Sequence, residues 1–472
     1  MIEDSSQATL QPESFRVQIP ANHSWDSDLA ILNSSLPRLA QLAVRALPVC
    51  ACVARYILCS ILIACTKKDA LSRRLGLIPL LCLSVVQGTL APLLTNDPSF
   101  IGYLGRDAFL GACHAINLLT LVEVDATDLE REILRKRHST TLERICSGLS
   151  ILCNNRGIRT KWQVKNIPPF PQSFDGAKNS SHSSFCVRQI AIALWEIGTA
   201  FLVALYFLRT MPQDTPCDRV LPAFGDSPGL WRVIWPLMWI LPFRTSIDSI
   251  YRLASAVSVA IGLTTPIDWP PAFGSARDAW TLRQFWAVYW HQLLRWPFSA
   301  ISTAIVEKGF GMTKSDLVGR YMHVLFVFTH SGLFHLINDV RYGVPWRKSG
   351  SLLFFCSFTL GFMIEDGVQE LWRRVTQKRG KKQAMQCSEK RPSTGAALTP
   401  TPVWKKVLGF AWVGAWLSIS TPVFIQPFFE GVCRQGAASG FLYIIQQLDP
   451  MFLCGAMAAM TLLVWHHFGI DL

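Results

Sequence analysis

The chain has 472 residues, 50% of them hydrophobic and 16% charged, with a mean hydropathy of +0.28; soluble proteins carry roughly 25% charged residues. With 17 tryptophans and 28 phenylalanines, enough to form aromatic belts at two interfaces, the composition excludes an ordinary soluble domain and points to an all-α polytopic membrane protein. The net charge of +13 is explained first by Lys and Arg holding loops in the cytosol, then by attraction of an anionic substrate or lipid, and no basic stripe interleaved with aromatics marks a nucleic-acid partner.

The first 35 residues form a polar tail without an apolar core, so a cleaved signal peptide is not expected and the first spanning helix takes the targeting role. Stretches of about 20 apolar residues suited to spanning fall at 46–65, 75–94, 104–122, 189–208, 230–263, 321–340, 351–370, 404–424 and 441–465. The 230–263 stretch is interrupted by Arg244, Asp248 and Arg252 and reads as one broken crossing or two short ones. Basic loops at 66–74, 123–188 and 371–403 belong in the cytosol by the positive-inside rule. That gives nine crossings, a lumenal N-terminus and a cytosolic C-terminus. The organisation is a tail (1–35), N-terminal helices (36–122), a basic loop (123–188) and a helical core (189–472).

The 14 cysteines lie mostly inside apolar runs, make no zinc-type CxxC pair and read as buried free thiols. Sequons occur at Asn22, Asn33 and Asn179. On this topology only the first two reach the glycosylation machinery.

The stretch FVFTHSGLFHLINDV (326–340) places polar groups where apolar ones are expected. Such groups cost several kcal/mol in hydrocarbon unless they are paired or used. On a helix Ser331, His335 and Asp339 are spaced i, i+4, i+8 and share a stripe, with Asn338 close to His335. Gly332 allows close approach of a backbone or ligand. A neutral buried histidine suits general-base work, with Asp339 or Asn338 to fix its tautomer; a histidine that only packs helices together is the competing explanation. A metal site on His323, His330 and His335 fails on spacing. A Ser331–His335–Asp339 hydrolase triad fails because successive turns of one helix do not meet end to end and no GxSxG elbow exists.

A second stretch, WPPAFGSARDAWTLRQFWAVYWHQLLRWPFSA (269–300), reads as an amphipathic interfacial helix over Trp280–Arg295. Phe285, Trp286, Tyr289 and Trp290 give it an aromatic face, Arg283 and Arg295 charge, and His291 a place above a cavity leading to His335.

PPAFGS, TLRQFWAVYWHQLLR and the following FxxSGLxH element resemble the wax-synthase-like branch of the membrane-bound O-acyltransferase superfamily, and most of all the fungal terpenoid and meroterpenoid acetyltransferases. RGIRTKWQVKN (156–166) is similar to a further element of that group. The two histidine motifs in this order, some 40 residues apart, carry the resemblance, which spans about 150–465. It implies a membrane-embedded helical fold around an internal reaction chamber, no bound cofactor and no metal, and acetyl-CoA or another acyl-CoA as co-substrate. It also implies His335 as catalytic base, with His291 beside it, and a hydrophobic alcohol arriving from the bilayer of the endoplasmic reticulum. Phe285, Trp286, Trp290, Arg283, Arg295, Ser331, Asn338 and Asp339 are the expected substrate and CoA contacts. Two departures stand out: Arg159 where the group has glycine, and AVYW where basic residues more often precede Trp-His. Long-chain wax-ester synthesis is the alternative chemistry, and a transporter or a non-catalytic scaffold the alternative class.

Overall fold

The computed structural model describes residues 35–171, 181–210, 230–386 and 401–434, with fragments between 451 and 462. The polar tail to residue 34, the sequons at Asn22, Asn33 and Asn179 and most of the expected 441–465 span lie outside the described residues. Among the described residues the secondary structure is entirely helical. We number the principal helices α1 (Arg38–Cys65), α2 (Leu71–Leu90), α3 (Pro98–Ile116), α4 (Thr141–Cys153), α5 (His182–Thr210), α6 (Leu230–Ala260), α7 (Arg295–Ala304), α8 (Leu317–Arg341), α9 (Ser351–Gln386) and α10 (Val403–Arg434).

Neighbours in space run α4–α1–α2–α3–α8–α9–α10–α6–α5, with α7 wedged against α3 and α8. α8 is therefore an interior helix. Most of its side chains are at least partly buried against other helices, which explains why it tolerates three histidines, an asparagine and an aspartate. One core lies under α1, α2, α3 and α4 and includes Ile63, Leu80, Leu118 and Ile151. The other is aromatic and joins Trp239 of α6, Phe328 of α8, Phe354 and Phe358 of α9 and Phe424 of α10.

Among the described residues, five helical stretches are long and apolar enough to cross a membrane: Arg38–Cys65, Leu71–Leu93, His182–Val203, Ser351–Thr376 and Val403–Val432. A sixth is a pair, Pro98–Leu121 and Ala126–Leu134, bent by 104°. The protein is thus a multi-helix membrane protein; among the described residues five or six crossings are supported, and the nine expected are not confirmed. The expected spans at 230–263 and 321–340 are helices, α6 and α8, but polar side chains dilute their apolarity. Stretch 230–263 forms the single helix α6, with Pro236 and Pro242 inside it.

Three boundaries differ from the sequence reading. α9 runs 36 residues to Gln386, well past 370. Twelve of the sixteen residues of LWRRVTQKRGKKQAMQ are strong helix formers and none is proline, so the basic run continues the helix. The 123–188 loop is partly built: α4 begins at a full capping box between Thr140 and Glu143 and packs on α1, where Ser60 Oγ donates to the Ile145 carbonyl.

The largest correction concerns 280–295. No continuous amphipathic helix forms there. A short turn over Leu282–Gln284 passes into a π-helical turn, Phe285–Tyr289, after which Trp290 is extended (φ −72°, ψ 149°). Pro297 supplies part of the reason. A helix running through it would lose a backbone hydrogen bond and push the proline ring into the carbonyl of Leu293. The helix therefore restarts as α7 at Arg295, with Pro297 in its first turn, where the missing N–H costs nothing. Phe285, Tyr289 and Trp290 are buried in the aromatic core and do not form the exposed face of an interfacial helix.

Candidate active site

The broken helix is held by specific contacts. Thr281 caps its start, accepting from the Gln284 N–H. Glu365 of α9, buried, accepts from the backbone N–H groups of Leu282 (2.6 Å) and Arg283 (3.3 Å) and from Trp412 Nε1 (3.1 Å). The carboxylate thus sits on otherwise unpaired helix-start donors. At the other end the π-turn closes by Trp290 N–H donating to the Phe285 carbonyl (2.8 Å). Gln292 Nε2 donates to the carbonyls of Trp286 (3.1 Å) and Trp290 (2.8 Å), groups the break leaves open.

The PPAFGS segment lies across this turn. Gly274 N–H donates to the Tyr289 carbonyl (2.9 Å), and a Cβ at Gly274 would sit 2.3 Å from the Val288 carbonyl oxygen, so only glycine permits the approach. RGIRTKWQVKN braces the same unit from outside. Arg156, 2% exposed, donates to the carbonyls of Pro271 (2.6 Å) and Pro270 (2.7 Å) and to the Tyr251 hydroxyl. Asn166 Nδ2 donates to the Ala287 carbonyl (3.1 Å), and Arg295 Nη1 to the Lys165 carbonyl (3.0 Å). Gly157 (φ +59°) and Arg159 (φ +61°) both occupy the left-handed region, which accounts for the glycine expected at 159. Arg159 pairs with Asp268 at 2.8 Å. Burial favours the neutral acid of Asp268, but hydrogen bonds from the Thr265 hydroxyl and backbone N–H and from Arg159 hold the carboxyl below its ordinary range.

These elements line, with α7, α8 and α9, an open cavity of about 230 Å³. His291 and His335, the two histidines expected to act together, both line it, as do Trp286, Trp290, Arg283, Arg295 and Ser331. α8 contributes His323, Val327, Ser331 and His335 at four-residue steps, one stripe along the helix. The His335 imidazole lies parallel to the Phe355 ring, with centroids 4.7 Å apart and 15° between planes. The Phe424 ring meets it edge-on at 5.4 Å. His291 meets Phe273 edge-on at 5.6 Å, and its Nδ1 is buried with no hydrogen-bond partner among the described residues. The cavity therefore holds two imidazoles in an aromatic lining, with guanidinium groups at its polar end.

Three of the expected contacts lie elsewhere. Phe285 is a wall residue stacked behind Trp290 (5.8 Å, 18°). Asn338 accepts from Arg106 of α3. Asp339, 1% exposed, accepts from the hydroxyls of Ser349 and Ser351, each at 2.6 Å. Neither Asn338 nor Asp339 orients His335; they fasten α8 to α3 and to the start of α9. Side chains one turn apart on a helix lean the same way, so the shared stripe aligns Asp339 with His335 without joining them. His330 also leaves the site: its Nδ1 bonds the Phe326 carbonyl (2.6 Å) and its ring stacks on Phe298. Arg283 is tied to Asp366 at 2.8 Å, and Asp366 also accepts from Tyr321 (2.8 Å). The sequence reading missed Gln292, Glu365 and Asp366. The adjacent carboxylates in an otherwise apolar helix were the available signal for the last two.

Residues 269–357, the segment that holds all but one of the residues lining this cavity, match the Membrane bound O-acyl transferase family. Curated relatives cover far more of the chain. Acetyltransferase spyB of Aspergillus fumigatus is 33% identical over 79% of this chain and 63% of its own length. Acetyltransferase pyr8 of the same fungus is 32% identical over 71% of this chain and 76% of its own. Acetyltransferase atnC of an Arthrinium species is 30% identical over 81% and 87%. No solved structure matches the chain. The chain belongs to the membrane bound O-acyl transferase family and is an acyltransferase. The transporter and scaffold alternatives fall away.

Proposed function

We propose that the protein transfers an acetyl group from acetyl-CoA to a hydroxyl of a hydrophobic, terpenoid-type secondary metabolite, with His335 as general base. The observation that carries this reading is the single cavity in which His335 and His291 face one space bounded by Arg283 and Arg295. The acetyl group and the acceptor class rest on the relatives, which are named acetyltransferases, and on the resemblance to fungal terpenoid enzymes.

In the proposed reaction the acceptor oxygen attacks the thioester carbonyl carbon while His335 takes the hydroxyl proton. The oxyanion of the tetrahedral intermediate accepts a hydrogen bond from His291. Its collapse breaks the C–S bond, and the proton on His335 passes to the leaving CoA thiolate. A positioned base of this kind contributes on the order of 10²–10⁴ in rate. The aromatic lining keeps water from the thioester. The anionic donor arrives from the cytosol, where Arg283, Arg295 and the basic extension of α9 attract its phosphates. The alcohol enters from the lipid. The compartment is the endoplasmic reticulum membrane, with the N-terminus lumenal and the C-terminus cytosolic.

The test is a metabolite comparison by mass spectrometry between the native host carrying wild-type protein and one carrying His335→Ala at equal protein level. Loss of one O-acetylated product with accumulation of its free alcohol is expected. A change in long-chain esters instead would transfer the protein to wax-ester synthesis, and unchanged esters would remove His335 as the base.

A further inference from the structure

We propose that an aromatic wall behind His335 restricts the donor to short acyl groups, with Phe355 and Phe424 as the side chains that set the limit. The inference rests on the acyl-CoA reading above and adds what decides acyl length.

The cavity follows one stripe of α8 from His323 through Val327 and Ser331 to His335. At 1.5 Å per residue those twelve steps span about 18 Å. The stripe stops there. Asp339, the next member, is buried against Ser349 and Ser351, and among the described residues nothing beyond His335 on α8 lines the cavity. The end is closed by rings. Phe355 lies flat on the His335 imidazole and Phe424 stands against its edge. Behind them Phe354 stacks on Phe424 at 4.7 Å and 13°. Trp239 packs against both, at 5.8 and 5.9 Å, and against Trp290 at 5.2 Å. Its Nε1 donates to Thr421 Oγ1 at 3.0 Å, which locks the indole. Trp239, Phe354, Phe355 and Phe424 are each at most 4% exposed. Pro422 and Val423, next to Phe424 in sequence, line a separate pocket of about 250 Å³ with Gly343, Val344 and Pro345, which shares no lining residue with the first.

A donor whose CoA portion occupies the arginine end and whose thioester reaches His335 has its acyl group pointing at this wall. An acetyl methyl fits in front of the Phe355 ring. Each further methylene must displace a ring held by close-packed neighbours, and interiors at this density resist that.

The experiment uses full-length protein in detergent and measures displacement of radiolabelled acetyl-CoA by free CoA and by butyryl-, hexanoyl- and octanoyl-CoA. Wild-type protein should bind hexanoyl-CoA at least about tenfold more weakly than acetyl-CoA, since forcing extra methylenes into a close-packed wall costs on the order of ten- to a hundredfold in affinity. Phe355→Ala should raise the hexanoyl-to-acetyl affinity ratio by about tenfold or more. Phe355→Leu, which keeps most of the volume, should raise it less and serves if the alanine variant does not fold. Phe424→Leu should shift the ratio in the same direction. Wild-type protein that binds octanoyl-CoA as well as acetyl-CoA would overturn the wall while leaving acyltransfer standing, as would folded variants with an unchanged ratio. Wild-type protein that binds neither free CoA nor any thioester would remove the donor reading itself.

Discussion

Arg156 offers a test of how the site is braced, independent of the substrate. Its guanidinium spans two consecutive prolyl carbonyls, at 2.7 and 2.6 Å from Pro270 and Pro271, and also reaches the Tyr251 hydroxyl, over whose ring it lies 5.0 Å from the centroid. Replacing it by alanine leaves two carbonyls and a phenol without this donor, at about 1–3 kcal/mol each. Tyr251 keeps its own bond to Pro270 (2.8 Å), and the cost of burying the guanidinium is recovered, so a net loss of about 3 kcal/mol is expected. Arg156→Lys keeps the charge but cannot fork across both carbonyls, and should lose about half of that. The assay is thermal unfolding of the detergent-solubilised protein followed by tryptophan fluorescence, with acyl transfer measured on the same samples. The midpoint should fall in the order wild type, Arg156→Lys, Arg156→Ala. Transfer should fall at temperatures where both variants remain folded, because Pro270 and Pro271 lead into the segment that seats His291. An Arg156→Lys protein identical to wild type in midpoint and transfer would refute the bracing argument.

Two further substitutions probe backbone geometry. A Cβ at Gly332 would lie 2.9 Å from the Leu352 Cα, so Gly332→Val should force α8 and α9 apart at a cost of about 1–3 kcal/mol, read as a lower unfolding midpoint; an unchanged midpoint would deny that the two helices pack this closely. Arg159 stands at φ +61°. Arg159→Gly should be neutral within about 1 kcal/mol, since relieved backbone strain offsets the loss of a half-exposed ion pair with Asp268. Arg159→Val at the same position should be clearly destabilising, because a β-branched side chain is least able to adopt that conformation.

Sequence alone determined the class of molecule and singled out the histidines proposed as its reactive groups. Twenty-residue apolar runs demand helices in a bilayer, since no other local structure satisfies the backbone there, and α1, α2, α3, α5, α9 and α10 arise where those runs lie. His335 and His291 stood out because a titratable ring in apolar surroundings is costly enough to need a reason. What the sequence could not determine was anything resting on contacts between distant segments. Periodicity made 280–295 one amphipathic helix; Pro297, Gly274 docking on Val288 and Gln292 filling the opened carbonyls turned it into a broken element that puts His291 beside the cavity. Spacing made Asp339 a partner for His335; Ser349 and Ser351, ten and twelve residues on, take its carboxylate instead. The closure behind His335 draws Trp239, Phe354, Phe355 and Phe424 from three helices. Each is an ordinary apolar residue in its own segment, and only tertiary packing makes them a wall.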